Sequence, residues 1–253
     1  MQIGSNGRLG NQMFQFAALY SIANEKSLEY YTPGGRLFDV FKMRNCNMSS
    51  FDMKQKSRIE ERKFSFDADF CEYASDGHDI VGYFQSEKYF DRFKKEIIEL
   101  FEFKKEIDAN VDSLIKDACS LHVRRTDYLK SPNYHTNLEI DYYKKAIDHT
   151  SPKKILVVSD DMTWCKEEFI PRLSLKNTEV FYASEFYQND DISDMIMMKS
   201  CKDIIIANSS FSWWAAYLGP HQRGGNIIAP RSWFGPMGHQ DSHDIYCKGW
   251  ILK

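Results

Sequence analysis

Two adjacent arginines, Arg124 and Arg125, directly follow a short apolar run in the segment LHVRRTD. The run predicts a buried strand over Cys119–Val123, and alternation along that strand places His122 and Arg124 on the same face. A guanidinium is charged at every relevant pH and binds phosphate through two parallel hydrogen bonds. The segment therefore predicts a diphosphate site at the end of a strand. The structural alternative is a surface ion pair between Arg125 and Asp127.

Hydroxyl residues stand between another apolar run and a helical pattern in the segment ANSSFSWW. The first turn of a helix offers free backbone N–H groups, and serine hydroxyls beside them complete a site for an anion. Capping of the helix by Ser209 or Ser210 is the structural alternative, and it is compatible with anion binding. The segment predicts a second set of phosphate contacts, made by Ser209, Ser210, Phe211 and Ser212.

A pair of carboxylates, Asp160 and Asp161, ends a third apolar run in the segment ILVVSDD. A carboxylate there can accept two hydrogen bonds from the edge of a guanine base, or bind a metal ion through oxygen. Capping of the following helix is an equally good explanation for Asp161 and a weaker one for Asp160. These interpretations remain open at the level of sequence.

Three glycines spaced three apart, Gly4, Gly7 and Gly10, precede Asn11 and Gln12 at the start of a helical pattern. Glycine lets the backbone approach a ligand closely, and it also permits a tight turn for conformational reasons alone. The spacing differs from the G-x-G-x-x-G fingerprint of dinucleotide-binding proteins. A ligand contact and a purely structural turn are therefore both open.

The elements that would position these residues alternate regularly in the second half of the chain. Short apolar runs predict strands over 119–123, 155–158, 180–182, 204–207 and 227–229. Between them, helical periodicity covers 138–149, 162–169, 190–200 and 211–218. Alternating strands and helices predict a parallel sheet covered on both faces, and such sheets bind ligands beyond the carboxyl ends of their strands.

The first half of the chain is less regular. Its patterns predict strands over 2–3, 28–31 and 80–84, and helices over 11–26 and 107–118, whereas 34–70 has no clear assignment. A boundary after the last of these helices gives a domain of residues 1–117 and a domain of residues 118–253. The predicted fold is α/β, with two units of roughly equal size facing each other across a cleft.

Composition excludes several classes of protein. The 33 Lys and Arg residues against 36 Asp and Glu give a formal charge of −3, which argues against a general nucleic-acid binder. No run approaches the ~18 apolar residues that cross a bilayer, and the first residues lack the apolar stretch of a signal peptide. We therefore expect a cytoplasmic protein, with peripheral membrane contact as an alternative. Six widely spaced cysteines predict reduced thiols and no metal site.

Five segments in order give the chain a family resemblance. They are GRLGNQMFQFAALYSIA, LHVRRTDYL, LVVSDDMTWCK, NDDISDMIMMKSCKDIIIANSSFSWWAAYLG and IIAPRSWF, and they span residues 7 to 234. Together they resemble the α-1,2-fucosyltransferases of glycosyltransferase family 11. HVRRTD is also similar to a motif of the core α-1,6-fucosyltransferases, and GRLGNQ to one of the protein O-fucosyltransferases.

The resemblance implies a fold, a reaction and a set of partners. The fold is the GT-B arrangement of two Rossmann-like domains facing across a cleft, with an acceptor-side first domain and a second domain that binds GDP-β-L-fucose. The reaction is transfer of L-fucose, with inversion, to a hydroxyl of a galactose-containing oligosaccharide or glycolipid, expected at O2. No metal or other cofactor is required.

The resemblance also implies residue roles. Arg124 contacts the β-phosphate and stabilises the departing GDP, and Arg125 and Asp127 brace it or contact the sugar. His122 and Asp160 lie at the guanosine end. The remaining donor contacts, to the phosphates, the fucose and the reacting sugar, come from Ser209, Ser210, Phe211 and Ser212 and, in the opposite domain, from Gly10, Asn11 and Gln12.

Some alternatives stay open. Asp127, His135 and Glu139 are all candidates for the base that deprotonates the acceptor, and a dissociative path needs little base assistance. A transferase that uses another GDP-sugar would share this scaffold. A glycan-binding protein without transferase activity is the alternative from another class, but such a protein has no need for two arginines and a serine-rich helix start at strand ends.

Overall fold

The computed structural model describes residues 2–3, 7–32, 34–44, 46, 57–173, 175–188 and 190–253. The chain divides into two compact units. The first comprises Met1–Lys104 and Asp241–Cys247, and the second comprises Lys105–Gln240 and Lys248–Lys253. Gly4, the first glycine of the predicted glycine-rich segment, lies outside the described residues.

The first unit contains a sheet of three parallel strands in the order β1-β3-β2. Its strands are β1 (Gln2–Ile3), β2 (Ser57–Glu60) and β3 (His78–Val81). Its helices are α1 (Leu9–Glu25), α2 (Arg36–Val40), α3 (Ala68–Tyr73) and α4 (Lys94–Leu100). Short 3₁₀ turns occupy Glu87–Tyr89, Asp91–Phe93 and Ser242–Ile245.

Helix α1 forms the centre of the first unit's core. The predicted helix over 11–26 is confirmed, and its apolar side chains Phe14, Ala17 and Ile22 are buried. Phe16 and Leu19 are buried as well. The helix therefore contributes more than one face to the core, as expected for a helix enclosed on several sides.

The other predicted strands of the first half differ from the observed ones. Residues 28–31 lie outside the strands that the structure describes, and the strand predicted over 80–84 is His78–Val81 instead. Its end is explained by the carboxylate of Glu61, which accepts hydrogen bonds from the backbone N–H of Tyr83 (2.8 Å) and Phe84 (3.0 Å). A side chain thus replaces the strand partner, and Phe84 takes a positive φ of 51°.

The second unit contains a sheet of six parallel strands in the order β6-β5-β4-β7-β8-β9. The strands are β4 (Cys119–Val123), β5 (Lys154–Ser159), β6 (Glu179–Tyr182), β7 (Asp203–Ile205), β8 (Ile227–Ala229) and β9 (Ile251–Leu252). The five predicted strands are all present, whereas the two-residue edge strand β9 is too short to leave a hydrophobic pattern.

Helices connect and cover these strands. They are α5 (Ala109–Ile115), α6 (Ile140–Thr150), α7 (Met162–Trp164), α8 (Ile170–Leu173), α9 (Ala183–Phe186), α10 (Asp191–Ser200), α11 (Ser210–Leu218) and α12 (Pro220–Arg223). A π-helical stretch, Cys165–Phe169, joins α7 to α8, and a 3₁₀ turn occupies Tyr128–Lys130. Every residue of β4 is buried, as expected for a central strand with helices on both faces.

The division between the units differs from the predicted boundary after residue 117. Helix α5 packs with the second unit, because its Leu114 carbonyl accepts from Lys154 Nζ at 3.4 Å and its Ile115 side chain is buried. Residues 241–247 join the first unit for a similar reason. Asp241 accepts from the N–H of Ser65 at 3.1 Å, and Asp244 accepts from the N–H of Phe66 at 3.0 Å.

Within the described part of the chain, no helix is both long enough and apolar enough to span a membrane. The six cysteines are all free thiols, four of them buried.

Candidate active site

The three candidate segments of the second unit meet at the centre of its sheet. Strand β4 lies between β5 and β7, so the residues that follow these three strands share one edge. The chain proceeds outward from β4 through β5 and β6, and then returns to the other side of β4 at β7. This reversal is a topological switch point, the place where open parallel sheets bind ligands.

Asp160 holds the loop that carries the two arginines. Its Oδ1 accepts from the N–H of Arg125 at 2.9 Å, and its Oδ2 accepts from the N–H of Thr126 at 3.1 Å. The Thr126 hydroxyl also donates to Oδ2, and Arg124 Nη1 lies 3.3 Å from the same oxygen. A carboxylate offers about four acceptor positions, so this set leaves little capacity for another partner. Asp160 thus organises the arginine loop, a role that the sequence did not suggest.

Arg124 is held between two carboxylates. Its Nη2 donates to Asp127 Oδ2 at 2.7 Å, whereas Nη1 makes the contact with Asp160. The Arg124 side chain is 16% exposed, whereas that of Asp127 is 42% exposed. The guanidinium also lies 5.7 Å from the centre of the Tyr128 ring. A well-placed anion can displace the exposed Asp127 while Asp160 keeps the arginine in position.

Arg125 has a different environment from the surface pair considered for it. Its Nε donates to Asp161 Oδ2 at 3.1 Å, and its guanidinium lies 4.0 Å from the centre of the Trp164 ring. Asp127 pairs with Arg124 instead, so the proposed Arg125–Asp127 pair is wrong. The other oxygen of Asp161 accepts from the N–H of Trp164 at 3.3 Å and caps α7, which confirms the capping interpretation for this residue.

His122 lies inside the sheet beneath the arginine loop and is 4% exposed. Burial, reinforced by the charge of Arg124 and opposed by Asp160, lowers the pKa of His122 to about 3. The imidazole is therefore neutral at physiological pH. Its Nδ1 is buried without a hydrogen-bond partner among the described residues, and its ring lies 5.9 Å from that of Phe211. The unsatisfied nitrogen is able to bind a polar group of a ligand.

The serine-rich segment begins α11, and its side chains do not all face the same way. Ser209 occupies the N-cap position with extended backbone angles, but its side chain makes no capping hydrogen bond. The simple capping explanation for Ser209 therefore does not hold. Ser212 is fully buried, and its hydroxyl lies 3.3 Å from the carbonyl oxygens of both Ala207 and Ser209. Ser212 lies in the first turn of α11, and its buried hydroxyl faces these two carbonyls, which argues against its predicted contact with the donor.

Asn208 connects β7 to two neighbouring loops. Its Nδ2 donates to the carbonyl oxygens of Thr136 at 3.0 Å and Trp233 at 2.8 Å. Its own carbonyl accepts from the Tyr128 hydroxyl at 2.7 Å. The loop after the arginines is thereby attached to the switch point at two places.

Gly10, Asn11 and Gln12 belong to the first unit, in the first turn of α1. Asn11 Oδ1 accepts from Gln85 Nε2 at 2.8 Å, and Gln12 Nε2 donates to the carbonyl of Gly7 at 3.1 Å. Gly7 has a φ of +74°, and a Cβ there would lie 2.3 Å from Asn11 Nδ2. The turn therefore requires glycine at position 7 for steric reasons, whatever else the segment does.

Asp194 is a carboxylate that the patterns in the sequence do not single out. It lies in the first turn of α10, the helix that leads into β7, so it lies at the sheet edge where the strands end. Burial, together with the negative charges of Asp191 and Asp190, raises the pKa of Asp194 to about 7. Perturbed carboxylates of this kind are concentrated at functional sites. The signal in the sequence was the group of acidic residues in NDDISD, at the start of a buried helix.

Metal ligands are not gathered in the described ranges. Nowhere in them do three or more His, Cys, Asp or Glu side chains come together in a way that could hold an ion. The chemistry that the sheet edge offers is instead that of two arginines, backbone N–H groups at a helix start and a neutral imidazole. Such groups bind and stabilise a diphosphate.

Comparison with known proteins identifies the family. The model of glycosyl transferase family 11 matches residues 1–253. The Escherichia coli O-antigen biosynthesis glycosyltransferase WbnK is 27% identical, over 90% of this chain and 93% of that protein. An Escherichia coli alpha-1,2-colitosyltransferase is 29% identical, over 90% of each chain. Galactoside alpha-(1,2)-fucosyltransferase 2 of Oryctolagus cuniculus is 23% identical, over 85% of this chain and 66% of that protein.

Solved structures share the fold. NodZ from Bradyrhizobium, a fucosyltransferase, superposes with a TM-score of 0.53 at 14% identity, over 87% of this chain and 92% of that one. Arabidopsis thaliana FUT1, solved as an R284K mutant in complex with GDP, gives a TM-score of 0.50 at 11% identity, over 90% of this chain and 69% of that one. The predicted α/β fold of the GT-B type and the resemblance drawn from the five segments are confirmed. The chain belongs to glycosyl transferase family 11 and is a glycosyltransferase of the fucosyltransferase type.

Proposed function

We propose that this protein transfers L-fucose from GDP-β-L-fucose to O2 of a galactose unit in an oligosaccharide or glycolipid acceptor, with inversion at the anomeric carbon and without a metal ion. The observation that carries the proposal is Arg124 at the switch point, clamped between Asp160 and the exposed Asp127. The names of relatives and neighbours support the donor and the linkage, since they include galactoside α-1,2-fucosyltransferases and a fucosyltransferase soaked with GDP-fucose.

Arg124 is assigned to the β-phosphate. As the bond from the anomeric carbon to the phosphate oxygen lengthens, negative charge builds on GDP, and a fixed guanidinium stabilises that charge more than it stabilises the ground state. In this assignment the diphosphate replaces the Asp127 carboxylate as the partner of Arg124 Nη2, and Asp160 keeps its contact with Nη1 of the same guanidinium. Arg125, fixed by Asp161 and Trp164, adds positive charge at the same edge.

The remaining donor contacts are assigned by position. Ser209, Ser210 and Phe211 lie at the start of α11, where backbone N–H groups favour phosphate oxygens. The neutral His122 contacts the nucleoside through its unsatisfied Nδ1. Gly10, Asn11 and Gln12 act near the reacting sugar, and the first unit receives the acceptor. The guanine contact first considered for Asp160 is replaced by its role in holding the loop, because its oxygens are already occupied.

A second candidate function is transfer of a different GDP-sugar. It is favoured by the 29% identical relative that is named an alpha-1,2-colitosyltransferase. Colitose is fucose without the 3-hydroxyl group, so the two donors would share every diphosphate and guanosine contact. The enzyme would distinguish GDP-fucose from GDP-colitose only through the protein group that hydrogen-bonds the 3-hydroxyl of fucose.

Product analysis tests the proposal. The purified protein is incubated with GDP-fucose or GDP-colitose and with β-galactosides, in parallel with Arg124→Ala as a matched control of strongly reduced activity. We expect an α-fucoside at O2, identified by NMR from its anomeric coupling and linkage. Exclusive turnover of GDP-colitose would support the second candidate. Binding of galactosides without turnover of either donor would indicate a glycan-binding protein and refute both.

A further inference from the structure

His135 lies in a defined position beside the arginine loop. Its ring is stacked on that of Tyr128, with the centroids 4.3 Å apart and the planes inclined by 9°. The guanidinium of Arg124 lies 5.7 Å from the centre of the same tyrosine ring. The Tyr128 hydroxyl donates to the carbonyl of Asn208, which fixes the ring at its far end. The imidazole and the Arg124 guanidinium therefore both lie against the Tyr128 ring.

The backbone around His135 is equally well fixed. Its N–H donates to the carbonyl of Ser131 at 3.0 Å, and it pairs in antiparallel fashion with Phe234. The next residue in the loop, Thr136, is attached to Asn208 through its carbonyl. A side chain on a loop held at this many points loses little entropy when it acts on a substrate.

The electrostatic environment keeps the His135 imidazole uncharged at neutral pH. Burial lowers its pKa from the ordinary value; Asp127 opposes that shift and Arg124 reinforces it. The other polar rings nearby are Tyr128, stacked on it, and His239, which packs on the opposing Phe234. Neither ring nitrogen of His135 has a hydrogen-bond partner among the described residues. A neutral imidazole with unused nitrogens is a suitable proton acceptor.

The other two candidate bases are in less suitable environments. Asp127 accepts from Arg124 in the structure, so it is available as a base only after the diphosphate has displaced it. Glu139 is exposed and stands at the N-cap position of α6. Of the three candidates, His135 is the one whose side chain is held in a fixed position, against the Tyr128 ring, before the donor binds.

We propose that His135 is the general base of the transfer reaction, an inference that rests on the proposed function. In this step the acceptor oxygen forms a bond to the anomeric carbon of fucose, and the bond from that carbon to the β-phosphate oxygen breaks. The electron pair of the broken bond leaves on GDP, and the hydroxyl proton of the acceptor moves to a ring nitrogen of His135. The base acts late, because the sugar develops oxocarbenium character before the oxygen bond is complete.

The test compares His135→Phe with His149→Phe. Phenylalanine preserves the stacking on Tyr128 and removes only the basic nitrogens, and unfolding temperatures confirm that both variants are folded. His149 is exposed in the last turn of α6, at the opposite edge of the sheet, and is the control. We expect His135→Phe to lower kcat with a galactoside about 10²-fold, the lower part of the range for general bases, and His149→Phe to leave it unchanged.

Azide separates a catalytic role from a structural one. Azide is already an anion and needs no base, so His135→Phe should form fucosyl azide from GDP-fucose as fast as the wild type. The pH dependence of kcat with the galactoside is a second readout. The wild type should lose activity below a midpoint under ~6.5, and this acidic limb should be absent in His135→Phe.

Each contrary outcome is decisive. If His135→Phe loses rate equally with the galactoside and with azide, the role of His135 is structural and the proposal is overturned. A His135→Phe rate with the galactoside within about fivefold of the wild type also overturns it. If azide gives no product with the wild type, the pH profile alone decides, and an acidic limb that persists in the variant overturns the proposal. A wild type that transfers fucose to neither nucleophile, although it binds GDP, refutes the proposed function itself.

Discussion

Removal of the Asp160 carboxylate should disable Arg124 without touching the ligand directly. Asp160→Ala loses the acceptor of two backbone N–H groups, at 2.9 and 3.1 Å, the acceptor of the Thr126 hydroxyl, and the ion pair to Arg124 at 3.3 Å. A hydrogen bond to a charged group contributes about 1.5–3 kcal/mol. The side chain is 19% exposed, so water can replace part of the set.

The expected loss of transition-state stabilisation follows from these contacts. We expect about 3 kcal/mol, equivalent to about 10²-fold in kcat/KM, which is less than the sum of the separate contacts because they act as a unit. Asp160→Asn should recover only part of this loss, since the amide keeps one acceptor oxygen and loses the charge. Asp148→Asn, an exposed substitution on α6, is the matched control and should retain full activity.

Calorimetric titration with GDP and IDP distinguishes the loop-holding role from a guanine contact. IDP lacks only the 2-amino group of the base. If Asp160 acts through Arg124, both nucleotides lose affinity by the same factor, and the preference for GDP over IDP is unchanged. A preference that disappears in Asp160→Asn would show that the carboxylate binds guanine. Unchanged affinity for both nucleotides would show that the loop does not need Asp160.

Three further predictions concern the same unit. Arg124→Ala should lower kcat about 10²–10³-fold. Arg124→Lys should rescue little of this activity, because lysine lacks the guanidinium fork. An Arg124→Ala variant that retains about a tenth of the wild-type kcat/KM in steady-state measurements would contradict the assigned role. Activity should survive EDTA, since arginine supplies the positive charge; loss on chelation and recovery with Mn²⁺ or Mg²⁺ would show otherwise. The raised pKa of Asp194, from 3.8 to about 7, stabilises the fold at low pH and ceases to do so as the pH rises through 7. Asp194→Asn should therefore increase the free energy of unfolding by about 1–2 kcal/mol at pH 8 and hardly at pH 4. Urea denaturation at the two pH values measures this change. An equal change at pH 4 and pH 8 would show that the raised pKa of Asp194 is not its cause.

Local sequence determined the elements of the second unit and the chemistry at their ends. A strand buried on both faces must be apolar throughout, and it must be followed by polar residues where the chain leaves the core. The runs before Arg124, Asp160 and Asn208 have this form, so the strands could be predicted from composition and spacing, and an anion site is the expectation at their ends. The five segments in order then specified the family, because together they span most of the chain.

Tertiary structure decided which of these groups act together. The sequence does not state that β4 lies between β5 and β7, and only this order brings Asp160 to the loop of Arg124 and Asn208 to Tyr128. The second carboxylate partner of Arg124, Asp160, was undetermined for the same reason, since it follows a different strand and is distant along the chain. Strand order depends on how the helices cover the sheet, and that is a property of the whole unit.

Orientation within an element was also a tertiary property. Ser209 and Ser212 are only three residues apart and both are buried, but packing makes the first the N-cap of α11 and encloses the hydroxyl of the second against two backbone carbonyls. The attachment of residues 241–247 to the first unit depends on two aspartates and two backbone N–H groups far apart in sequence. Such contacts leave no periodic pattern, because each is made once, between segments that meet only after the chain has folded.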